Sequence, residues 1–297
     1  MVHNKIEFRK VRDIGGLLNT TFGYLKNNFK ILLKANLFIS APAILLAGIF
    51  LGMYQSSVFD FSVNTELQQF GIPFLLSTFF MMIAYLIIMV VTYSHLMIYN
   101  QSETGIIEIE DVWLMTKQNF IPILMSGIGY SLIIGLVSFI FIGIGIYLVI
   151  SGSFVFIFLV FIGIGIVLYL SVNYSLIFIV RIEEDISFFK ALTRSRELIS
   201  NNWWFTFGLI IIVGIIQGFL SYAFYIPTYI VMFFIGFAGY SSGTGLISKF
   251  ILIITSIITS LSVLSYMLST IAISLQYYNL VERKEATGML QKIEEIK

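Results

Sequence analysis

Residues 121–182 read IPILMSGIGYSLIIGLVSFIFIGIGIYLVISGSFVFIFLVFIGIGIVLYLSVNYSLIFIVRI, and no charged side chain appears in them before Arg181. A helix rises 1.5 Å per residue and crosses a hydrocarbon core in roughly 20 residues. The stretch is too long for one crossing, so it holds two, or three short ones. The number decides the topology, because Lys190, Arg194 and Arg196 follow directly and an odd count places them on the opposite side.

Working outward, further apolar runs begin near Ile31, Ile72, Trp203 and Leu246 and end near Tyr54, Tyr99, Phe237 and Leu280. Two crossings in 121–182, divided at residues 151–153, make six in all. The same-side segments are then the N-terminal stretch, the loops 100–119 and 181–202, and the C-terminal tail. They carry every Lys and Arg of the 17 in the chain except Lys249. The opposite segments, 55–71, 151–153 and 238–249, hold Asp60, Glu66 and that one lysine. Basic residues near span ends resist translocation, so this asymmetry selects six spans with both termini inside, in the cytoplasmic (inner) membrane of a bacterium. Pro227 is expected to break 203–246 into a span and a short re-entrant or interfacial piece.

Composition agrees. Of 297 residues 58% are hydrophobic and 11% charged, against roughly a quarter charged in soluble domains. Cysteine is absent, which excludes disulfides, thiolate chemistry and Cys-ligated metal. The first 30 residues carry six basic side chains and no uninterrupted apolar core, so the first span is expected to act as its own insertion signal.

The same-side segments resemble one another. Asn28-Phe29, Asn119-Phe120 and Asn202-Trp203 each close a charged amphipathic stretch and open an apolar run. Val91-Thr92-Tyr93-Ser94 is echoed by Val172-Asn173-Tyr174-Ser175. The expected fold is therefore all-α: a polytopic transmembrane bundle forming one domain over 1–297. It is built as three repeats (about 11–100, 106–182 and 185–281) and a cytoplasmic tail, 282–297. Each repeat is an interfacial amphipathic helix plus a two-span hairpin. In the first, Val11, Ile14, Leu17, Leu18, Thr21, Phe22 and Leu25 form one stripe; in the third, Phe188, Ala191, Leu192, Ser195, Leu198 and Ile199 do so. An apolar face with a charged back, placed before a span, suits a helix lying in the membrane surface. Phe188, Leu192 and Ile199 are then expected in the acyl boundary, with Lys190, Arg194 and Arg196 against lipid headgroups.

Chemistry-bearing residues are few. No acid or base lies in mid-membrane, which argues against an ion-driven pump. Two histidines, His3 in a flexible start and His95 near a span end, are too few for a metal site, and no acid is placed to orient His95 for nucleophilic catalysis. Gly143-Ile144-Gly145, Gly163-Ile164-Gly165 and the pair Gly214 and Gly218 suit close helix packing, and they lack the setting of a nucleotide loop. No catalytic, metal, cofactor or nucleic-acid site is expected. Asn36, His95, Asn173 and Gln276 all fall in the inner halves of their spans. They either line an inward-facing polar cleft or make four separate interhelical hydrogen bonds.

Ile179-Val180-Arg181-Ile182-Glu183-Glu184-Asp185, Phe189-Lys190-Ala191-Leu192-Thr193-Arg194-Ser195 and Asn201-Asn202-Trp203-Trp204 together resemble a signature of the YciC-like and glycerophosphoryl-diester-phosphodiesterase membrane-domain superfamily. Ala191, Arg194 and Ser195 match its most characteristic positions, and Gln276 to Glu285 is similar to its last span exit. The resemblance implies a stand-alone membrane domain without the phosphodiesterase, in wording that looks like Bacteroidetes-type proteins. A carotenoid-oxygenase activity, which uses four iron-binding histidines, is incompatible with two. The expected role is a non-enzymatic one in the envelope, binding membrane lipids or other membrane proteins. A permease or lipid-flipping protein with an inward-facing cleft between repeats is the alternative.

Overall fold

The computed structural model describes residues 5–58, 67–102, 107–238 and 246–286, and among these every regular element is helical. The first helix, α1 (Ile14–Val58), is followed by α2 (Leu67–Gln101) and α3 (Ile109–Ser138). A π-turn at Phe139–Gly143 joins α3 to α4 (Ile144–Ile150), so the third apolar run is helical throughout. Then come α5 (Ile157–Asn173), α6 (Ile177–Glu183), α7 (Phe188–Ile199), α8 (Trp203–Ala238), α9 (Leu246–Ser260) and α10 (Tyr266–Glu285). Six helical segments are long and apolar enough to cross a membrane. Their outer surface is apolar: Phe161, Phe219, Phe233 and Ile247 are all more than 60% exposed, as suits helices that cross a membrane.

Burial is uneven. In the most apolar window of the last segment 56% of residues are buried, against 6% in that of the third. The C-terminal half of α10 is therefore the axis, surrounded by α1, α2, α6, α7 and α8, while the α3–α5 hairpin stands at the rim. One large core joins Leu17, Tyr24, Leu96, Ile179, Leu198 and Tyr278 at the basic end of the bundle. A smaller one, around Ile44, Ile88 and Met267, lies deeper. Gly48 and Gly52 set the seam between α1 and α9. A Cβ on either would come within 2.5 Å of the Cα of Ile257 or Ile253, the close approach that small residues permit. Gly145 and Gly163 pack the rim hairpin in the same way, against Val160 and Phe141. Gly214 and Gly218, expected as packing glycines, have nothing within 4 Å of the place a Cβ would occupy.

Several boundaries differ from expectation. The first two amphipathic stretches are not separate helices: α1 and α3 run through Asn28 and Asn119 without a break. Only the third is distinct, separated from α8 by a 3₁₀ turn at Ser200–Asn202. Pro227 lies inside α8 and does not end it. The fourth run breaks after Asn173, and the last is interrupted by a 3₁₀ segment at Leu261–Ser265.

The N-terminal stretch also departs from a flexible start. His3 lies outside the described residues, but residues 5–13 form a strap across the basic ends of α2 and α10. The Ile6 N–H donates to Tyr99 Oη at 3.1 Å and Lys5 Nζ to the Asn100 carbonyl at 2.7 Å. Phe8 is 2% exposed and sits among the rings of Tyr24, Tyr99 and Tyr278 at 5.2–5.7 Å. Asp13 ends the strap as the N-cap of α1, its Oδ1 accepting the Gly16 N–H at 2.8 Å. Burial lowers the Arg12 pKa from its ordinary value, with Glu7 acting in the opposite sense.

Candidate functional site

The four polar residues expected near one depth do not share one cleft: Asn173 borders the groove described below, and the other three lie in the interior. Asn36, His95 and Gln276 have no exposed surface and Asn173 is 2% exposed; each bonds a neighbour, though Asn36 Oδ1 and His95 Nε2 meet no partner among the described residues. Asn36 Nδ2 donates to the Leu32 carbonyl at 2.9 Å and to Met267 Sδ. His95 Nδ1 meets Tyr24 Oη at 2.5 Å across the α1–α2 seam. Gln276 Nε2 donates to Thr206 Oγ1 at 2.9 Å, and its Oε1 accepts Asn279 Nδ2 at 3.0 Å. This last pair begins a relay that runs from the interior to the surface: Asn279 Oδ1 accepts the Arg12 N–H, and Arg283 Nη2 donates to the Arg12 carbonyl at 2.7 Å. These polar groups stitch α1, α2, α8, α10 and the strap together.

Asn173 marks the break between α5 and α6. Its carbonyl would ordinarily accept the N–H of Ile177, but that N–H donates to Tyr174 instead. The freed acceptor is satisfied by Ser195 Oγ of α7 at 2.7 Å. A buried carbonyl left without a donor costs about 1–3 kcal/mol, so the break and the seating of α7 depend on each other.

The apolar stripe of α7 faces protein rather than acyl chains. Ala191, Ser195, Leu198 and Ile199 have no exposed surface, which corrects the placement of Ile199 in the acyl boundary. The physical reason is that the α5–α6 break and α10 offer a protein surface closer than lipid. The outward aromatics are instead Phe189 and Trp204, 75% and 77% exposed.

The three basic residues expected at lipid headgroups divide. Arg194 is committed to protein: its Nε lies 3.0 Å from Glu184 Oε1, and its Nη2 contacts Glu285 of α10. Tyr277 Oη donates to the same Glu184 oxygen at 3.1 Å. Lys190 is exposed. Arg196 is exposed, and no described acid pairs with it. It stands at the mouth of a groove of about 790 Å³ between α5, the Ser200–Asn202 turn and α8.

That groove is graded. Arg196, Ser200, Asn201 and Asn202 form its polar end, and Gly165, Leu168 and Phe207 its apolar end. Trp203 makes the floor, stacked on Tyr169 at 5.8 Å and on Phe207 at 5.1 Å between centroids. Its Nε1 donates to the Tyr169 carbonyl, near the end of α5, at 3.4 Å. A cation and amides above an aromatic and aliphatic trough match an amphiphile with an anionic head. The Asn-Asn-Trp-Trp string is visible in the sequence; its pairing with Gly165 and Leu168 depends on how α5 packs against α8.

Among the described residues no group of three or more His, Asp or Glu is arranged to hold a metal ion. Comparison with protein-family models, curated proteins and solved structures gives no match for this chain.

Proposed function

We propose that this is a non-enzymatic, lipid-binding protein of a bacterial inner membrane, with both termini cytoplasmic. The groove beside Arg196 then holds an anionic phospholipid of the inner leaflet. The single observation that carries the reading is that graded groove. Its guanidinium is free of described acids, its amides cluster at one end, and its apolar floor leads toward Phe207 and Leu168. A headgroup phosphate pairs with Arg196 and an acyl chain follows the trough. The charge asymmetry supports the orientation, since the groove's polar end lies with the basic segments.

Kinship with the YciC-like superfamily is part of this proposal and rests on Ala191, Arg194 and Ser195. The structural duties of these residues give a reason for the motif. Ala191 and Ser195 seat α7 with no exposed surface, Ser195 closes the α5 break, and Arg194 ties α7 to α10. The threefold repeat likewise stays a proposal, supported by Asn28, Asn119 and Asn202 falling where amphipathic sequence meets apolar span.

Native mass spectrometry of the full chain, released from nanodiscs containing phosphatidylglycerol and phosphatidylethanolamine, tests the reading. One retained phosphatidylglycerol, displaced in the Arg196→Gln variant, is the expected result. Equal retention of both lipids by both proteins overturns it.

A further inference from the structure

We propose that a second cavity, at the 3₁₀ interruption of the last span, binds a neutral polyol group. The site is separate from the Arg196 groove and does not depend on the lipid-binding reading. It is an open-sided groove of about 640 Å³ between α1, α2, α8 and the α9–α10 junction, within the usual size range of ligand pockets.

The case begins with hydrogen bonds that are left unspent. Along α9, Thr255, Thr259 and Ser260 each give their hydroxyl to a backbone carbonyl, and Ser256 donates to Gln55 Oε1 at 2.8 Å. Helix-internal hydroxyls behave this way in hydrocarbon because nothing else is on offer. Of the residues facing the cavity, Ser77, Thr78 and Thr259 do the same, but others do not. The hydroxyls of Tyr85, Tyr225, Ser262 and Tyr266 make no hydrogen bond with any described residue, and the Gln55 amide nitrogen has no acceptor among them. Five polar groups from five structural elements thus converge with free capacity on one space, four of them within apolar spans and Gln55 at the outer end of the first. Leaving them unmet in lipid is costly, so the cavity is built to hold polar matter.

Its chemistry narrows the occupant. No acid or base lines the space, so a charged ligand would be buried without a counter-charge. Tyr85 and Tyr266 stand edge to face at 4.7 Å between centroids, and such rings offer an apolar face beside a hydroxyl. A polyol presents the complement, C–H faces between O–H groups. The interrupted helix is the usual means of bringing backbone and side-chain polarity to mid-membrane. Free polyol and the glycosyl head of a neutral lipid share this chemistry.

The test uses the full chain in zwitterionic nanodiscs. Retention of monoglucosyl diacylglycerol is compared by native mass spectrometry with that of diacylglycerol, and free glucose is titrated by saturation-transfer NMR. Preference for the glucosyl lipid of about tenfold, equivalent to about 1.4 kcal/mol, identifies a lipid source. Saturable glucose binding without that preference identifies a soluble one. Either signal falls several-fold in Gln55→Leu and in Ser262→Ala, two variants chosen so that a fold defect in one does not decide the matter. Equal retention of both lipids together with no glucose signal overturns the proposal.

Discussion

Asn279 Oδ1, in the last turns of α10, accepts the backbone N–H of Arg12 at 2.8 Å, joining the start of the chain to the end of its last span. Arg283, one turn on, donates to the Arg12 carbonyl and lies over the Phe205 ring at 4.8 Å. The strap is thus clamped at both its amide and its carbonyl, with Phe8 as its anchor. Replacing Asn279 with Ala should cost about 1–3 kcal/mol, because Gln276 and the Arg12 N–H both lose a buried partner. Phe8→Ala should cost about 3–5 kcal/mol through the cavity it leaves. Amide exchange at Ile6 and Arg12 should accelerate in both variants, and unchanged protection would show that the strap is held elsewhere.

The α1–α9 seam makes a second, sharper prediction. Gly52→Ala places a methyl 2.5 Å from the Ile253 Cα, so the helices must separate. Overpacking of this kind costs about 1–3 kcal/mol, and the same change at Gly165, where the space is open, should cost no more than a few tenths. Thermal unfolding in detergent compares the two directly. Equal melting temperatures would mean that the seam is not closed in the membrane.

Arg194 and Arg196, two residues apart, should separate structure from binding. Arg194 is about one quarter exposed and joins Glu184 and Glu285. Solvent screening limits such pairs to about 1 kcal/mol or less, so Arg194→Gln should lower stability slightly and leave phosphatidylglycerol retention intact. Arg196→Gln should do the reverse. If Arg194→Gln alone removes the lipid, the headgroup sits on α7 rather than in the groove.

Ser195→Ala isolates the α5 break. The Asn173 carbonyl loses its donor, at a cost of about 1–3 kcal/mol, and exchange should quicken across residues 174–177 and in α7 together. Quickening in one alone would separate two features that the structure couples.

How much of this was legible in the sequence follows from the kind of signal involved. The six apolar runs and their basic flanks are one-dimensional properties, and the helices follow them. The stripe on α7 was legible too, since Ala191, Ser195, Leu198 and Ile199 recur at helical spacing. Whether that stripe met lipid or protein was not, because the answer depends on where α10 and the α5 break lie. Phe8 gave no warning: a single aromatic in a charged stretch has no period, and only the ring pocket of Tyr24, Tyr99 and Tyr278 buries it. Gly48 and Gly52 sit at the same four-residue spacing as Gly214 and Gly218, yet only the first pair meets a helix. The unspent hydroxyls of Tyr85 and Tyr266 are visible only once their neighbours' hydrogen bonds are known.

Sidedness underlies every assignment to the inner leaflet, and the absence of cysteine permits a clean measurement. Ser153, in the turn between α4 and α5, and Thr193, on α7, are both exposed. Single Ser153→Cys and Thr193→Cys variants are to be treated in whole cells with a membrane-impermeant maleimide, before and after permeabilisation of the inner membrane. Six crossings with both termini cytoplasmic predict that Ser153→Cys labels in intact cells and Thr193→Cys only after permeabilisation. Labelling of both from the same side, or the reverse order, would contradict the arrangement.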